Sequence, residues 1–247
     1  MAKERVDKLL VDRGLVESRA KAQALILAGL VYSDTKRIAK AGDQIQLEAP
    51  LNVKGQDHPW VSRGGQKLAK AIEAFGLGVA DLIGADIGAS TGGFTDVLLH
   101  HGAAKVYAVD VGHGQLAWKL RQDPRVVVLE KTNARHLTNA QIPDPLDMVV
   151  CDASFIGLET VLPAALALTR DHAWCVALIK PQFEVGPDRV GKGGVVRDAA
   201  LHDEVCARIR DWFENLPGWS VLGIVESPIL GPEGNKEFLI AARKGEA

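Results

Sequence analysis

Four charged residues stand where a folded sheet would deliver reactive groups to one edge: Lys67, Asp152, Lys180 and Glu237. Lys180 follows the apolar run 176–179 and Asp152 follows Val149-Val150-Cys151, so each emerges where a strand ends. Lys67 lies in Ser62-Arg63-Gly64-Gly65-Gln66-Lys67-Leu68, just before the first strand of the main sheet. Glu237 lies in Gly234-Asn235-Lys236-Glu237-Phe238 and opens the last strand. Taken singly, each is an ordinary surface charge, and only the fold could unite them. United, they would supply a base. A lysine serves as one only if its pKa falls, which a second nearby cation or partial burial brings about.

A second constellation is Asp86-Ile87-Gly88-Ala89-Ser90-Thr91-Gly92-Gly93-Phe94. Glycines let the backbone turn sharply and approach a ligand closely. Asp86 suits a ligand with cationic or hydroxyl groups. The spacing fits poorly to GxGxxG, the fingerprint of dinucleotide folds that seat a pyrophosphate on a helix N-terminus. Asp110, followed by Val111, ends the next strand and offers a carboxylate to both hydroxyls of a ribose. Asn133 closes Glu130-Lys131-Thr132-Asn133 and offers an amide to an adenine edge. The competing reading makes these residues strand-end caps and turns, where Asp and Asn are common.

The elements that must position these groups alternate. Strands are expected at 82–87, 105–110, 126–129, 146–151, 174–179, 220–226 and 238–242. Helices are expected at about 65–75, 94–100 and onward from Asp198. Apolar strands alternating with helices imply an α/β, doubly wound sheet covered on both faces. Ligands bind such sheets beyond the carboxyl ends of the strands. The segment 185–198, rich in Gly and charge, reads as a mobile loop over the site, with Arg189, Lys192 and Arg197 available to phosphates; Arg63 is a further contact of that kind.

Residues 1–41 differ in character, with nine basic residues against five acidic ones. They predict two short helices, the second capped by Ser18, and a hairpin of strands 30–33 and 44–48. Arg5, Lys8, Arg13, Arg19 and Lys21 would form a cationic outer face. Residues 51–60 read as a linker, which divides the chain into 1–50, the linker and 61–247.

The whole chain of 247 residues carries 29 Lys+Arg against 31 Asp+Glu, a net charge of -2 that excludes indiscriminate coating of nucleic acid. The uneven distribution instead suggests a dedicated binding module joined to a more acidic unit. No run approaches a membrane span, and the charged start, MAKERVDKLL, lacks a signal peptide's apolar core. Cys151, Cys175 and Cys206 form no CxxC, so neither a disulfide framework nor a metal site is expected. A reducing cytoplasm fits.

The string ERVDKLLVDRGLVESRAKAQALILAGLVYSD resembles the S4 RNA-binding domain. The loop D-x-G-x-x-x-G-G-F-T, with Asp110 and Asn133, resembles the S-adenosylmethionine site of class I, Rossmann-like methyltransferases. The four charged residues match the Lys-Asp-Lys-Glu tetrad of ribose 2′-O-methyltransferases related to FtsJ/RrmJ. Together with SRGGxKL, CDxSFI, LIKPQFE and GNxEF, these features identify the whole chain as similar to the TlyA family, long labelled hemolysin A. The resemblance implies S-adenosylmethionine as cofactor and a cytidine of ribosomal RNA as substrate; the length tilts toward the large subunit.

It further implies Lys180 as base or oxygen activator and Lys67 as its electrostatic partner. Asp152 would orient Lys180, and Glu237 would position Lys67 or the ribose. Gly88, Ser90, Thr91, Gly92, Gly93 and Phe94 would join Asp86, Asp110, Val111, Asn133 and Asp152 around the cofactor. Three other readings compete. An RNA-binding, ribosome-associated protein would have no use for both cofactor loop and tetrad, and a nicotinamide oxidoreductase should carry GxGxxG. A membrane-lytic protein should carry a long amphipathic or apolar segment.

Overall fold

In the computed structural model, residues 3–13, 15–16, 18–34, 36–53 and 58–245 are described. The N-terminal elements are β1 (Lys3–Arg5), α1 (Val6–Asp12), α2 (Arg19–Leu27), β2 (Val31–Ser33), β3 (Lys36–Arg37), β4 (Gln44–Gln46) and β5 (Asn52–Val53). Ser18 caps α2 by accepting a hydrogen bond from the Lys21 amide at 3.2 Å. Val6, Leu10, Ala22, Ile26, Val31 and Val53 bury a small shared core. The expected hairpin is not made. Instead β4 pairs with β1, whereas β2 pairs with both β3 and β5. Each strand is only two or three residues long, too short for an alternating pattern to announce its partner. Asn52 and Val53, within the expected linker, therefore belong to the N-terminal sheet; residues 54–57 of that linker lie outside the described residues.

The expected cationic face of this unit is largely engaged in holding it together. Asp7 is buried and accepts from Arg5 twice at 2.9 Å, from Arg19 at 2.9 Å and from Gln23 at 3.2 Å. Arg13 reaches the carbonyls of Ala49 and Leu47, and Lys8 pairs with Glu4. Lys21 is exposed and makes no ion pair among the described residues. Arg5 and Arg19 remain half exposed, so each still presents charge to solvent.

The larger unit opens with α3 (Gly64–Phe75), followed by β6 (Ile83–Ile87), α4 (Gly93–His100), β7 (Lys105–Val109), α5 (Trp118–Arg121) and β8 (Val126–Leu129). Then come β9 (Leu146–Cys151), α6 (Leu158–Val161), α7 (Pro163–Ala167), β10 (Thr169–Ile179), α8 (Pro181–Glu184), α9 (Ala199–Glu214), β11 (Trp219–Glu226) and β12 (Phe238–Lys244). Every residue of β9 is buried, because the strand is covered on both faces and so cannot alternate in polarity. The seven strands stand in the order β11-β12-β10-β9-β6-β7-β8, and β12 alone runs against the others. Two apolar clusters cover the two faces, one around Leu68, Phe94 and Met148, the other around Leu146, Ile209 and Phe213. The chain leaves β6 toward one side of the sheet and returns at β9 to build the other. At that switch point the loops part and leave a crevice beyond the strand ends.

The hydrogen bonds from Arg5, with those of Arg19 and Gln23, hold the Asp7 carboxyl well below the usual carboxylate range despite its burial. Its stabilisation is complete above the unfolded value of about 4 and is lost as pH falls below it. Asp7→Asn should cost the N-terminal unit about 1–2 kcal/mol, discounted because both guanidinium groups are half exposed. Unfolding measured from pH 5 to pH 2 should show a slope that the variant lacks; equal slopes would refute this account.

Candidate active site

The fold brings the four charged residues together at the sheet's carboxyl edge. Lys67, on α3, is 7% exposed, and its Nζ lies 2.8 Å from Glu237 Oε2 and 3.4 Å from Asp152 Oδ2. Asp152, directly after β9, turns its other oxygen to Lys180, with Oδ1 2.6 Å from Nζ. One carboxylate thus bridges two ammonium groups. Lys180 is 5% exposed and also donates to Asp152 O at 3.1 Å and Ser154 Oγ at 2.9 Å. Glu237 is fully buried, and its Oε1 has no hydrogen-bond partner among the described residues. A Cβ at Gly231 would collide with that oxygen, so a side chain there would displace the carboxylate over which the β11–β12 connector closes.

Lys180 is held from behind as well. α8 begins at the next residue, and its Glu184 accepts from the Leu158 amide at 2.8 Å and pairs with Arg208 at 2.7 Å. Burial pushes the Glu184 carboxyl up, against the pull of these partners. The contacts tie the exit of β10 to α6 and α9.

Two cavities meet at the bridge. The first, of about 410 Å³, is lined by Lys67, Lys180 and Asp152, by Asp86, Gly88, Ser90, Thr91, Gly93 and Phe94, and by Arg63 at its side. The second, of about 340 Å³, is lined by Asp110, Val111 and Asn133 with Phe155 and Ile156. Gly88, Ser90, Asp152 and Ser154 belong to both. At Gly88, φ is 80° and a Cβ would stand 2.9 Å from Ala153 Cα, so glycine is required for the two loops to touch.

Asp110 accepts from the Ser90 amide at 2.8 Å and the Gly112 amide at 2.6 Å, one on each oxygen. Each oxygen keeps capacity for a hydroxyl donor. Val111 and Phe155 are exposed beside it, at 71% and 89%, and give apolar surface for a base. A carboxylate for a diol, apolar walls for a ring and a further acidic cradle at Asp86 and Asp152 together fit a nucleoside carrying positive charge. Among the described residues no His, Cys, Asp and Glu group could hold a metal ion.

Several expected residues fall elsewhere. Gly92 lines neither cavity; it precedes α4 and packs toward Leu116 and Leu120. Asn133 uses its side-chain oxygen to cap the following turn through the Arg135 amide at 3.1 Å, leaving the amide nitrogen for a ligand. The segment 185–198 lines neither cavity. Its far end is fastened: Val195 and Val196 are buried, and Asn235 binds the Val196 amide at 3.1 Å and Gly194 O at 2.9 Å. Arg189 is engaged by Glu204 at 2.5 and 2.6 Å, whereas Lys192 and Arg197 are exposed. Sequence reasoning passed over Ser154, Phe155 and residues 229–231. Ser154 and Phe155 stand in CDASFI just after Asp152, the one position that could have flagged them.

Burial pushes Asp86 up to about 7, assisted by Asp152 and Asp110 and opposed by hydrogen bonds from Thr95 Oγ1 and N. From about pH 4, the unfolded value, to about 7 the folded chain therefore holds a proton that the unfolded chain lacks, and stability falls as pH rises. Unfolding of Asp86→Asn across that window should lose the decline; an unchanged slope would assign it to another group. Lys67→Met would leave Glu237 buried and uncompensated. Denaturant unfolding should register a loss of about 3–5 kcal/mol, with most recovered in Lys67→Met/Glu237→Gln. No recovery in the double variant would contradict the pairing.

Residues 60–244 match the FtsJ-like methyltransferase family, and residues 4–50 match the S4 domain. The chain is 49% identical over 240 residues to the 16S/23S rRNA (cytidine-2′-O)-methyltransferase TlyA of Mycobacterium tuberculosis, covering 97% of this chain and 89% of that one. It is 41% identical to hemolysin A of Brachyspira hyodysenteriae, covering 95% and 98% respectively. A solved structure from Streptococcus thermophilus whose description carries the word hemolysin is 44% identical, with a TM-score of 0.76 over 100% of this chain and 90% of the other. Among the described residues no helix is long and apolar enough to cross a membrane. With a class I methyltransferase sheet behind an S4 domain, and this likeness along nearly its full length, the chain belongs to the FtsJ-like methyltransferases of the TlyA family.

Proposed function

We propose that this protein transfers a methyl group from S-adenosylmethionine to the ribose 2′-hydroxyl of a cytidine in ribosomal RNA, working in the cytoplasm. The observation that carries the reading is the buried Lys67–Glu237 and Lys180–Asp152 chain, whose two lysines line the first cavity and whose Asp152 also lines the second, beside Asp110, Val111 and Asn133. The cofactor supplies an electrophilic sulfonium methyl. Asp110 would hold its ribose, Val111 and Phe155 its base with the Asn133 amide at the edge, and Asp86 and Asp152 would face its positive charges. Gly88, Ser90, Thr91, Gly93 and Phe94 would complete the cradle.

A ribose hydroxyl is a poor nucleophile, and its proton must leave as the oxygen attacks. Lys180 in its neutral form would take that proton. Lys67 would lend positive charge beside the developing alkoxide, Asp152 would hold both lysines in register, and Glu237 would keep Lys67 from turning away. The geometry contributes much of the rate by fixing the reacting groups before the encounter.

Residues 1–50, with the strand Asn52–Val53 that completes their sheet, would recognise RNA, and residues 61–247 would carry the chemistry. Lys21, Arg63, Lys192 and Arg197 are the proposed phosphate contacts with free charge. Arg5, Lys8, Arg13, Arg19 and Arg189 would share that task with their internal pairs. The mycobacterial relative is named for both 16S and 23S RNA, so the expected large-subunit target is one of two outcomes for a mapping experiment.

Calorimetry should detect S-adenosylmethionine binding to the wild type and to Lys180→Ala alike. Methyl transfer should fall about 10²–10⁴-fold in the variant. Mass mapping of ribosomal RNA from cells with and without the gene should then show one or more 2′-O-methylcytidines that depend on it. Wild-type transfer by Lys180→Ala would overturn the base assignment. RNA binding without cofactor binding would favour a reader without catalysis.

A further inference from the structure

Lys180 Nζ is surrounded by three oxygens: Asp152 Oδ1 at 2.6 Å, Asp152 O at 3.1 Å and Ser154 Oγ at 2.9 Å. Two of these are hydrogen bonds, to Asp152 O and Ser154 Oγ, whereas Asp152 Oδ1 meets the nitrogen as an ion pair without hydrogen-bond alignment. As a neutral amine, it keeps two N–H bonds and one lone pair. The carboxylate and the carbonyl can only accept, so neither can give the lone pair a proton. Ser154 Oγ, 2.9 Å away, is the one oxygen of the three that carries a proton and can donate it to the lone pair. Ser154 is itself exposed and lines both cavities, at the point where a cofactor and a ribose would meet.

We propose that Ser154 is a catalytic residue that relays the 2′-hydroxyl proton to Lys180. This rests on the methyltransferase reading above. In the step, the O2′–H bond breaks and a new O–H bond forms on Ser154 Oγ, while the original Oγ–H proton passes to the Lys180 lone pair. The O2′ electron pair forms the bond to the methyl carbon as the carbon–sulfur bond breaks and its electrons return to sulfur. One positive charge leaves the sulfonium and one appears on Lys180, and Ser154 ends as it began. Lys180 then releases its proton to solvent when the product leaves. The ammonium formed is met at once by the Asp152 carboxylate 2.6 Å away, so the charge is balanced where it arises.

The test compares Ser154→Ala and Ser154→Thr with the wild type, using S-adenosylmethionine for calorimetry and ribosomal RNA lacking the modification for single-turnover methyl transfer. Ser154→Ala should bind the cofactor within about twofold of wild type yet transfer about 10²-fold more slowly, the scale of a lost proton-transfer group. Its rate should follow a changed pH profile, and its dependence on the D₂O fraction should become linear where the wild type is curved by two moving protons. Ser154→Thr keeps the hydroxyl and should recover most of the rate. Wild-type transfer by Ser154→Ala, or equal impairment in Ala and Thr, would overturn the relay while leaving the methyltransferase reading intact. A wild-type protein that neither binds the cofactor nor transfers methyl would remove that reading and the relay with it.

Discussion

The site depends on one carboxylate serving two cations. Asp152 meets Lys180 with one oxygen and Lys67 with the other, and neither lysine is exposed enough to be satisfied by water instead. Burying two ammonium groups side by side is unfavourable unless opposite charge stands between and behind them. Asp152 stands between, and Glu237 stands behind Lys67. The surrounding architecture meets this electrostatic demand: a strand that ends at Asp152, a neighbouring strand that ends at Lys180, a helix that carries Lys67 across the crevice and a connector whose Gly231 leaves room for Glu237. Remove the sheet's switch point and the four groups have no common edge on which to meet.

The same economy of charge runs through the N-terminal unit. Asp7 is the buried anion there, and Arg5 and Arg19 converge on it while leaving part of each guanidinium in solvent. A cationic surface built in this way arrives with its side chains already oriented, so less conformational freedom is lost when a phosphate is met. The weak overall charge of the chain conceals this arrangement, because the acidic residues of the larger unit offset the basic ones of the smaller.

Much of the larger unit was legible from residues alone. Each run expected as a strand became one, and Asp152 and Lys180 appear at strand exits because an apolar strand that ends in a charge must surface there. The S4-like helices were readable through Ser18 and the spacing of their apolar residues. The short strands were not: Lys3–Arg5 pairs with Gln44–Gln46 through backbone bonds that carry no side-chain signature. In the segment 185–198 the glycines and charges read from sequence say nothing of its far end, where Asn235 and a buried Val195-Val196 pair fasten residues 194–196. Ser154 was passed over for a different reason. Serine is common after strands, and only its 2.9 Å contact with a lysine distant in sequence gives it meaning.

β12 has a consequence for how this protein comes into being. It follows the other six strands of its sheet in sequence, yet it lies inside the sheet, between β10 and β11, and Glu237 immediately precedes it. On a growing polypeptide the residues of β10 emerge before those of β12, so β10 waits with an unpaired, apolar edge until β12 has been made. Such an edge is a hazard for association with other chains, and it sets a clock on folding. It also imposes an order of birth: Lys67 lacks its buried counterion until Glu237 has been made, so the residues of the S4 domain are in place before the candidate active site can be completed.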